Sequence, residues 1–76
     1  MTAVRATQSL TAPVEDYLKV IFELESAGEH AGTNEIATAL GVAPASVSGM
    51  VRRLVGQHLI THERYRGVRL TRDGRR

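Results

Sequence analysis

The sequence predicts a mainly α-helical domain in which three helices precede a small two-stranded β-hairpin. Two patterns carry this prediction. Apolar residues recur at helical spacing in segments of the first two thirds of the chain, and two short strand-like runs separated by a turn follow them. The chain has 76 residues, which is enough for one small domain. Helices and hairpin in this order form a winged helix-turn-helix.

The first predicted helix covers residues 11–27. Pro13 suits its first turn, and Gly28 is expected to end it. Phe22 is expected to lie at the edge of the core. The apolar stripe that would pack against the other helices has i, i+3, i+4 spacing and consists of Val14, Tyr17, Leu18, Ile21 and Leu24.

Residues 33–53 have the spacing of two short helices joined by a tight turn. Thr33 is expected to cap the first of them, and Gly41 to end it, because glycine accepts a positive φ. Ala37 lets a second helix approach closely, and Pro44 suits the start of that helix. In a helix-turn-helix the second helix can enter a DNA major groove. An ordinary αα-hairpin is the alternative. The buried face of the second helix would consist of Val47, Met50, Val51 and Leu54.

After a helix exit at residues 56–58, the pattern changes to strand. Residues 59–61 and 68–70 are predicted to pair as a hairpin, the wing, with Gly67 at a positive φ in the turn. Its tip would carry Arg64, Tyr65 and Arg66, which suits phosphates or a minor groove. A surface hairpin with ordinary arginines is the alternative. Thr71 is expected to cap one more helical turn.

Charge is distributed unevenly along the chain. The net charge is +2, but residues 1–51 carry two basic and six acidic side chains, whereas residues 52–76 carry eight arginines and two acidic side chains. The halves therefore have net charges of −4 and +6, which suggests a polyanionic partner, and guanidinium groups suit phosphate. Residues 1–10 lack periodicity and are predicted to be a flexible tail, leaving residues 11–76 as the domain.

Several functional classes are disfavoured by composition. The chain has no cysteine, which excludes disulfides and cysteine zinc sites. It has no apolar run of membrane-spanning length and no signal-peptide pattern, so a cytoplasmic protein without a membrane partner is expected. His58 and His62 have the i, i+4 spacing of a helical metal pair, but a helix exit separates them, so both are interpreted as surface polar residues. No catalytic motif is present, and an enzyme is not expected.

Several motifs together carry a family resemblance. They are EDYLKVI at residues 15–21, EIA at 35–37, GV at 41–42 with ASVS at 45–48, YRG at 65–67 and LTRDGR at 70–75. In this order they resemble the N-terminal domain of the diphtheria toxin repressor and manganese transport regulator family. The resemblance implies a transcriptional repressor that binds operator DNA as a homodimer when manganese or iron is bound. The dimerisation and metal domain of that family is expected to be absent from this chain.

The resemblance also bears on metal binding. Asp16 matches the family's N-terminal metal-ligand position. Some manganese regulators have a second carboxylate three residues later, where this chain has Lys19, and an ammonium group cannot bind a hard cation. The isolated chain is therefore expected to hold no metal cofactor, with Mn²⁺ or Fe²⁺ reserved for full-length family members. Whether the isolated chain is a monomer stays open.

The predicted partner is double-stranded DNA. Ala43 stands where a serine often caps the second helix, and Gly49 where a longer polar residue often contacts DNA, so base readout would rest on thymine methyls or DNA shape. The alternatives are a winged helix for protein–protein contact and a metal-independent DNA-binding regulator. The predicted DNA-binding residues are Thr33, Ala43, Pro44, Ala45, Ser46, Ser48, Gly49, Arg52, Arg53, Arg64, Tyr65 and Arg66.

Overall fold

A computed structural model describes residues 12–63 and 67–75. It confirms the predicted order of three helices and a two-stranded antiparallel hairpin. None of the helices in these two ranges is long and apolar enough to cross a bilayer. The elements are α1 at Val14–Ser26, α2 at Thr33–Leu40, α3 at Pro44–Gly56, β1 at Ile60–Glu63 and β2 at Gly67–Leu70.

Helix α1 is shorter than predicted at its start. It begins at Val14, and Pro13 is the cap residue with extended backbone; a helix does not extend to the residue before this proline, because proline disfavours the helical conformation of its predecessor. Thr11, where the prediction began, lies outside the described residues. The other end agrees with the prediction. Gly28 has φ +73°, and its N–H donates to the carbonyl of Glu25 at 2.9 Å, which closes the helix as a left-handed C-terminal cap.

The predicted cap of α2 was wrong by one residue. Thr33 is already helical, and Gly32 occupies the cap position with extended backbone and no side-chain capping hydrogen bond. The end of α2 agrees with the prediction, since Gly41 has φ +70° and its N–H donates to the Ala37 carbonyl at 2.8 Å. Ala43 then caps α3 without a side-chain hydrogen bond, as expected, and Pro44 is the first residue of that helix.

The exit from α3 has an unusual backbone conformation. The helix ends at Gly56, but His58 is the residue with positive φ, at +62°. The His58 N–H donates to the Val55 carbonyl at 3.0 Å, and the Leu59 N–H donates to the Leu54 carbonyl at 3.1 Å. This is the hydrogen-bond pattern that glycine usually completes, so a side chain here carries a conformational cost.

The core lies between α1, the helix pair and the inner face of the hairpin. Phe22 is not part of it: its side chain is 50% exposed, so the expectation that it flanks the core was wrong. Burial raises the pKa of the Tyr17 phenol, because the charged form loses hydration in the core. The buried residues are Tyr17, Ile21, Ala31, Ile36, Ala37, Val42, Val47, Val51, Leu54, Ile60, Val68 and Leu70.

The hairpin is joined to the connection between α1 and α2. Its register pairs Ile60 with Leu70 and Glu63 with Gly67. Ala31 forms a parallel bridge to Gly67, and its carbonyl accepts the Val68 N–H at 2.9 Å. Gly67 has φ +82° as predicted, and a Cβ there would collide with the Ala31 carbonyl. The wing strand β2 is therefore held on its outer side by the loop that precedes α2.

Thr71 caps a final helical turn, as predicted. Its hydroxyl accepts the Gly74 N–H at 3.1 Å, and its carbonyl accepts the Arg75 N–H at 3.1 Å. The same hydroxyl donates to the His58 carbonyl at 2.7 Å. This turn is thereby connected to the end of α3.

Candidate nucleic-acid interface

One side of α3 packs in the core, and the other side is exposed. Val47, Val51 and Leu54 are buried in the core, and α3 contacts both α2 and β1. At the start of α3, Ala43, Pro44 and Ala45 are exposed and Ser46 is half-buried. The first turn has no acidic side chain to offset the positive end of the helix dipole. The surface at this end of the helix consists of small side chains.

Further along α3, the exposed residues differ in the length of their side chains. Ser48, Gly49, Arg52 and Arg53 are all exposed. A Cβ placed on Gly49 meets no atom within 4 Å, so nothing in the fold requires glycine at this position. At Gly49 the exposed face of α3 therefore presents only backbone. Arg52 and Arg53 follow one turn later on the helix.

A groove of about 300 Å³ brings predicted DNA-binding residues from two helices together. Thr33 enters it from the start of α2, and Ser48 and Arg52 enter from α3. We call this surface the α3 groove. The residues that line it are Thr33, Ser48, Val51, Arg52, Val55 and His62.

His62 in this groove was missed as a site residue. The sequence correctly indicated an exposed polar side chain, but not its location. The signal was available in the strand alternation, because His62 lies on the same side of β1 as Ile60, which is buried. A histidine two residues after a core position is thereby directed towards α3.

The wing tip adds three predicted residues that the structure leaves outside its described ranges, namely Arg64, Tyr65 and Arg66. The strand ends on either side of them are fixed by the pairing of Glu63 with Gly67. The roles predicted for the tip stay predictions, as do those of Arg53 and the first turn of α3.

A second polar cluster, absent from the sequence predictions, lies away from the α3 groove. The Glu25 carboxylate is 10% exposed; it accepts the Leu70 N–H at 2.5 Å and the Arg75 guanidinium at 2.5 Å. The Arg69 guanidinium lies 3.8 Å from the same carboxylate. We call these four residues the Glu25 junction. Two of the arginines in the basic half are therefore paired within the protein.

Among the described residues, Asp16 does not have the neighbours that a metal site needs. It is exposed in the first turn of α1, and Lys19 is exposed on the following turn. Across residues 12–63 and 67–75, no three His, Asp or Glu side chains are grouped so that they could hold a metal ion. Hard divalent cations need several oxygen ligands, so the described residues do not fit a metal centre.

Comparison with known proteins agrees with this geometry. The family described as iron dependent repressor, N-terminal DNA binding domain, matches residues 9–68. This chain belongs to that family. The match confirms the resemblance read from the sequence motifs, and it identifies the helix-turn-helix and wing as a DNA-binding domain of the iron dependent repressor family.

Two relatives of this chain are named as transcriptional regulators, and a similar solved structure is that of a manganese regulator. The HTH-type transcriptional regulator MntR of Oceanobacillus iheyensis is 38% identical over 66 residues, which cover 87% of this chain and 45% of that protein. MntR of Shouchella clausii is 42% identical over 64 residues, covering 84% and 45%. The structure of the manganese regulator SloR has a TM-score of 0.76 and 35% identity, covering 86% of this chain and 30% of that one.

The chain spans less than half the length of these curated relatives. Their names describe transcriptional regulators rather than enzymes. The shared part contains the helix-turn-helix and the wing, so the similarity concerns the DNA-binding part of the iron dependent repressor family.

Proposed function

We propose that this chain binds operator DNA as the DNA-reading part of a transcriptional repressor that responds to manganese or iron. The observation that carries the proposal is the α3 groove beside an exposed, non-acidic start of α3. Together with family membership, this surface favours DNA over a protein partner, because its exposed side chains are small or basic rather than broadly apolar.

In the proposed complex, the first turn of α3 enters the major groove. Residues 44–48 would lie nearest to the base edges, with Ala43 at the cap. Ala45 and Pro44 can contact thymine methyl groups, and Ser46 or Ser48 can hydrogen-bond either base edge or phosphate. Since Gly49 offers no side chain, sequence choice must depend on few contacts and on the shape of the duplex.

Phosphate contacts would supply most of the affinity. Arg52 and Arg53 are exposed at the far end of α3, and Arg64, Tyr65 and Arg66 lie in the wing connection. Contacts of this kind set orientation without reading sequence. Thr33 would add a contact at the start of α2, where the helix dipole is positive.

Metal binding and dimerisation are proposed for full-length members of the family. MntR and SloR are named as a transcriptional regulator and a manganese regulator, and this chain covers less than half of each. Asp16 would supply one ligand to a site completed elsewhere. A homodimer would present two α3 helices to two half-sites about one helical turn apart. The isolated chain is proposed to bind one half-site without metal.

The proposal is tested by measuring binding of the isolated chain to labelled duplex over a range of salt concentrations. We expect the affinity to fall with salt, with a log–log slope of about −0.9 for each phosphate neutralised. Adding a chelator should leave the curve unchanged. Selection from a random duplex library then tests for sequence preference. A salt-independent affinity, or no binding at low salt, would contradict the proposal.

A further inference from the structure

His62 occupies a core-facing position of the wing but is not buried. It is paired with Val68 in the hairpin register, and it lies on the same strand side as Ile60. Ile60 and Val68 are 1% and 3% exposed, whereas His62 is exposed. The strand alternation therefore directs the imidazole towards the helix pair at the point where the apolar core ends.

At that point the imidazole lines the α3 groove with the predicted DNA-binding side chains. Thr33, Ser48 and Arg52 line the same groove, and Val51 and Val55 complete it. A polar side chain thus comes from each of the three elements that surround the groove, namely α2, α3 and β1. His62 is the contribution of the wing strand.

The charges around His62 favour an anion. Arg52 contributes a positive charge from α3, and the start of α2 lies in the groove at Thr33. No acidic side chain of the described residues lines the α3 groove. In an adjoining recess of about 270 Å³ that His62 also lines, the titratable side chains are His30 from the connection before α2 and Glu63 from β1; β2 contributes only Gly67 and Val68.

Among the residues that the structure describes, neither Arg52 nor His62 has an internal polar partner. Within residues 12–63 and 67–75, no hydrogen bond or ion pair engages the side chains of His62 or Arg52. In contrast, Arg75 and Arg69 lie against Glu25. The polar side chains of the groove are therefore available to an external ligand.

We propose that His62 is a DNA-contact residue whose protonated imidazole binds a backbone phosphate at the α3 groove. This inference rests on the proposed function, since Ser48 and Arg52 place the groove along the DNA-reading helix. A neutral imidazole donates one hydrogen bond, whereas the protonated ring donates two and carries a positive charge. Because a phosphate binds the protonated ring more strongly than the neutral one, phosphate binding and proton uptake are coupled, so DNA binding should strengthen as the pH falls.

The three histidines of the chain make this assignment testable. Binding of the full chain to a labelled mixed-sequence duplex of about 24 base pairs is measured at about pH 8 and pH 5.5, each over a range of salt concentrations. We expect the wild type to bind about five- to tenfold more tightly at the lower pH. Its log–log salt slope should also steepen by about 0.9, because one more phosphate is neutralised.

The comparison variants are His62→Gln, His30→Gln and His58→Asn. His62→Gln should lose both the pH-dependent gain and the change in slope. Circular dichroism and urea unfolding of this variant at both pH values check that it is folded. His58→Asn should keep both effects, since asparagine tolerates the positive φ of that position.

Either of two results with the variants would overturn the assignment: His62→Gln keeps the full pH-dependent gain, or His30→Gln alone removes it. Binding by the wild type with no dependence on pH would also contradict the role of His62, while leaving the proposed function intact. Absence of binding at both pH values, by contrast, would contradict the proposed function itself.

Discussion

The α3 groove and the Glu25 junction use arginine in opposite ways. In the groove, Arg52 is exposed beside Ser48 and His62 and has no acidic neighbour lining the surface. In the junction, Arg75 lies 2.5 Å from a carboxylate that is 10% exposed. The two surfaces share no residue. One presents positive charge to the outside, whereas the other neutralises it within the fold.

This difference shows that a basic half of a sequence is not a single binding surface. The eight arginines of residues 52–76 look equivalent in composition. Two of them, Arg69 and Arg75, lie against Glu25, which belongs to the acidic half of the sequence. The basic half that suggested a polyanionic partner is therefore not available to one in full, and each arginine needs a test of its own.

The largest expected effect is on stability, from Glu25→Ala. This change leaves the Leu70 N–H and two guanidinium groups without their acceptor, so the free energy of unfolding should fall by about 2–3 kcal/mol. Urea unfolding measures it, with Glu23→Ala on an exposed position of the same helix as the control. DNA affinity under conditions where the variant is folded should stay within about twofold. A stability change equal to that of Glu23→Ala would contradict the importance of the junction.

A smaller effect is expected on binding, from Arg52→Ala compared with Arg75→Ala. Loss of Arg52 should weaken duplex binding at low salt about five- to tenfold and reduce the log–log salt slope by about 0.9. Arg75→Ala should leave the slope unchanged and lower only the stability, because its guanidinium is paired with Glu25. Titration of both variants against one duplex makes the comparison. Equal losses of slope would mean that both arginines contact phosphate.

The smallest expected effect is at His58, in the exit from α3. His58→Gly should raise the free energy of unfolding by about 1 kcal/mol, because it relieves a left-handed backbone at φ +62°. The hydrogen bond from Thr71 is to the His58 carbonyl and is retained. Gly41→Ala, at φ +70°, is the matched control and should have the opposite sign. A destabilised His58→Gly variant would show that the imidazole makes a contact that exceeds the backbone cost.

Local signals predicted most of the architecture. The turn and the close approach of the two helices were predicted from Gly41, Pro44 and Ala37. Each of these residues acts through its own backbone conformation or its size. The wing followed from β-branched residues and from Gly67. An error occurred where two adjacent residues both suit the same position. Gly32 rather than Thr33 occupies the N-cap of α2.

Contacts between distant parts of the chain were not predicted. Glu25 and Leu70 are 45 residues apart, and no pattern in a single sequence pairs a helical carboxylate with a strand amide. The bridge between Ala31 and Gly67 has the same character. For the candidate site, the residues of α2 and α3 were predicted as separate contacts, but their meeting with His62 depends on how the wing packs on α3.

The outer edge of β2 is hydrogen-bonded within the chain, and this limits how copies of the chain can associate. The Val68 N–H is taken by the Ala31 carbonyl and the Leu70 N–H by the Glu25 carboxylate. A loop carbonyl and a side-chain carboxylate thus accept the hydrogen bonds that a third strand would otherwise accept. These two N–H groups cannot then pair with a strand of another chain. Edge-to-edge sheet pairing is therefore blocked at the β2 edge of this very small β-sheet.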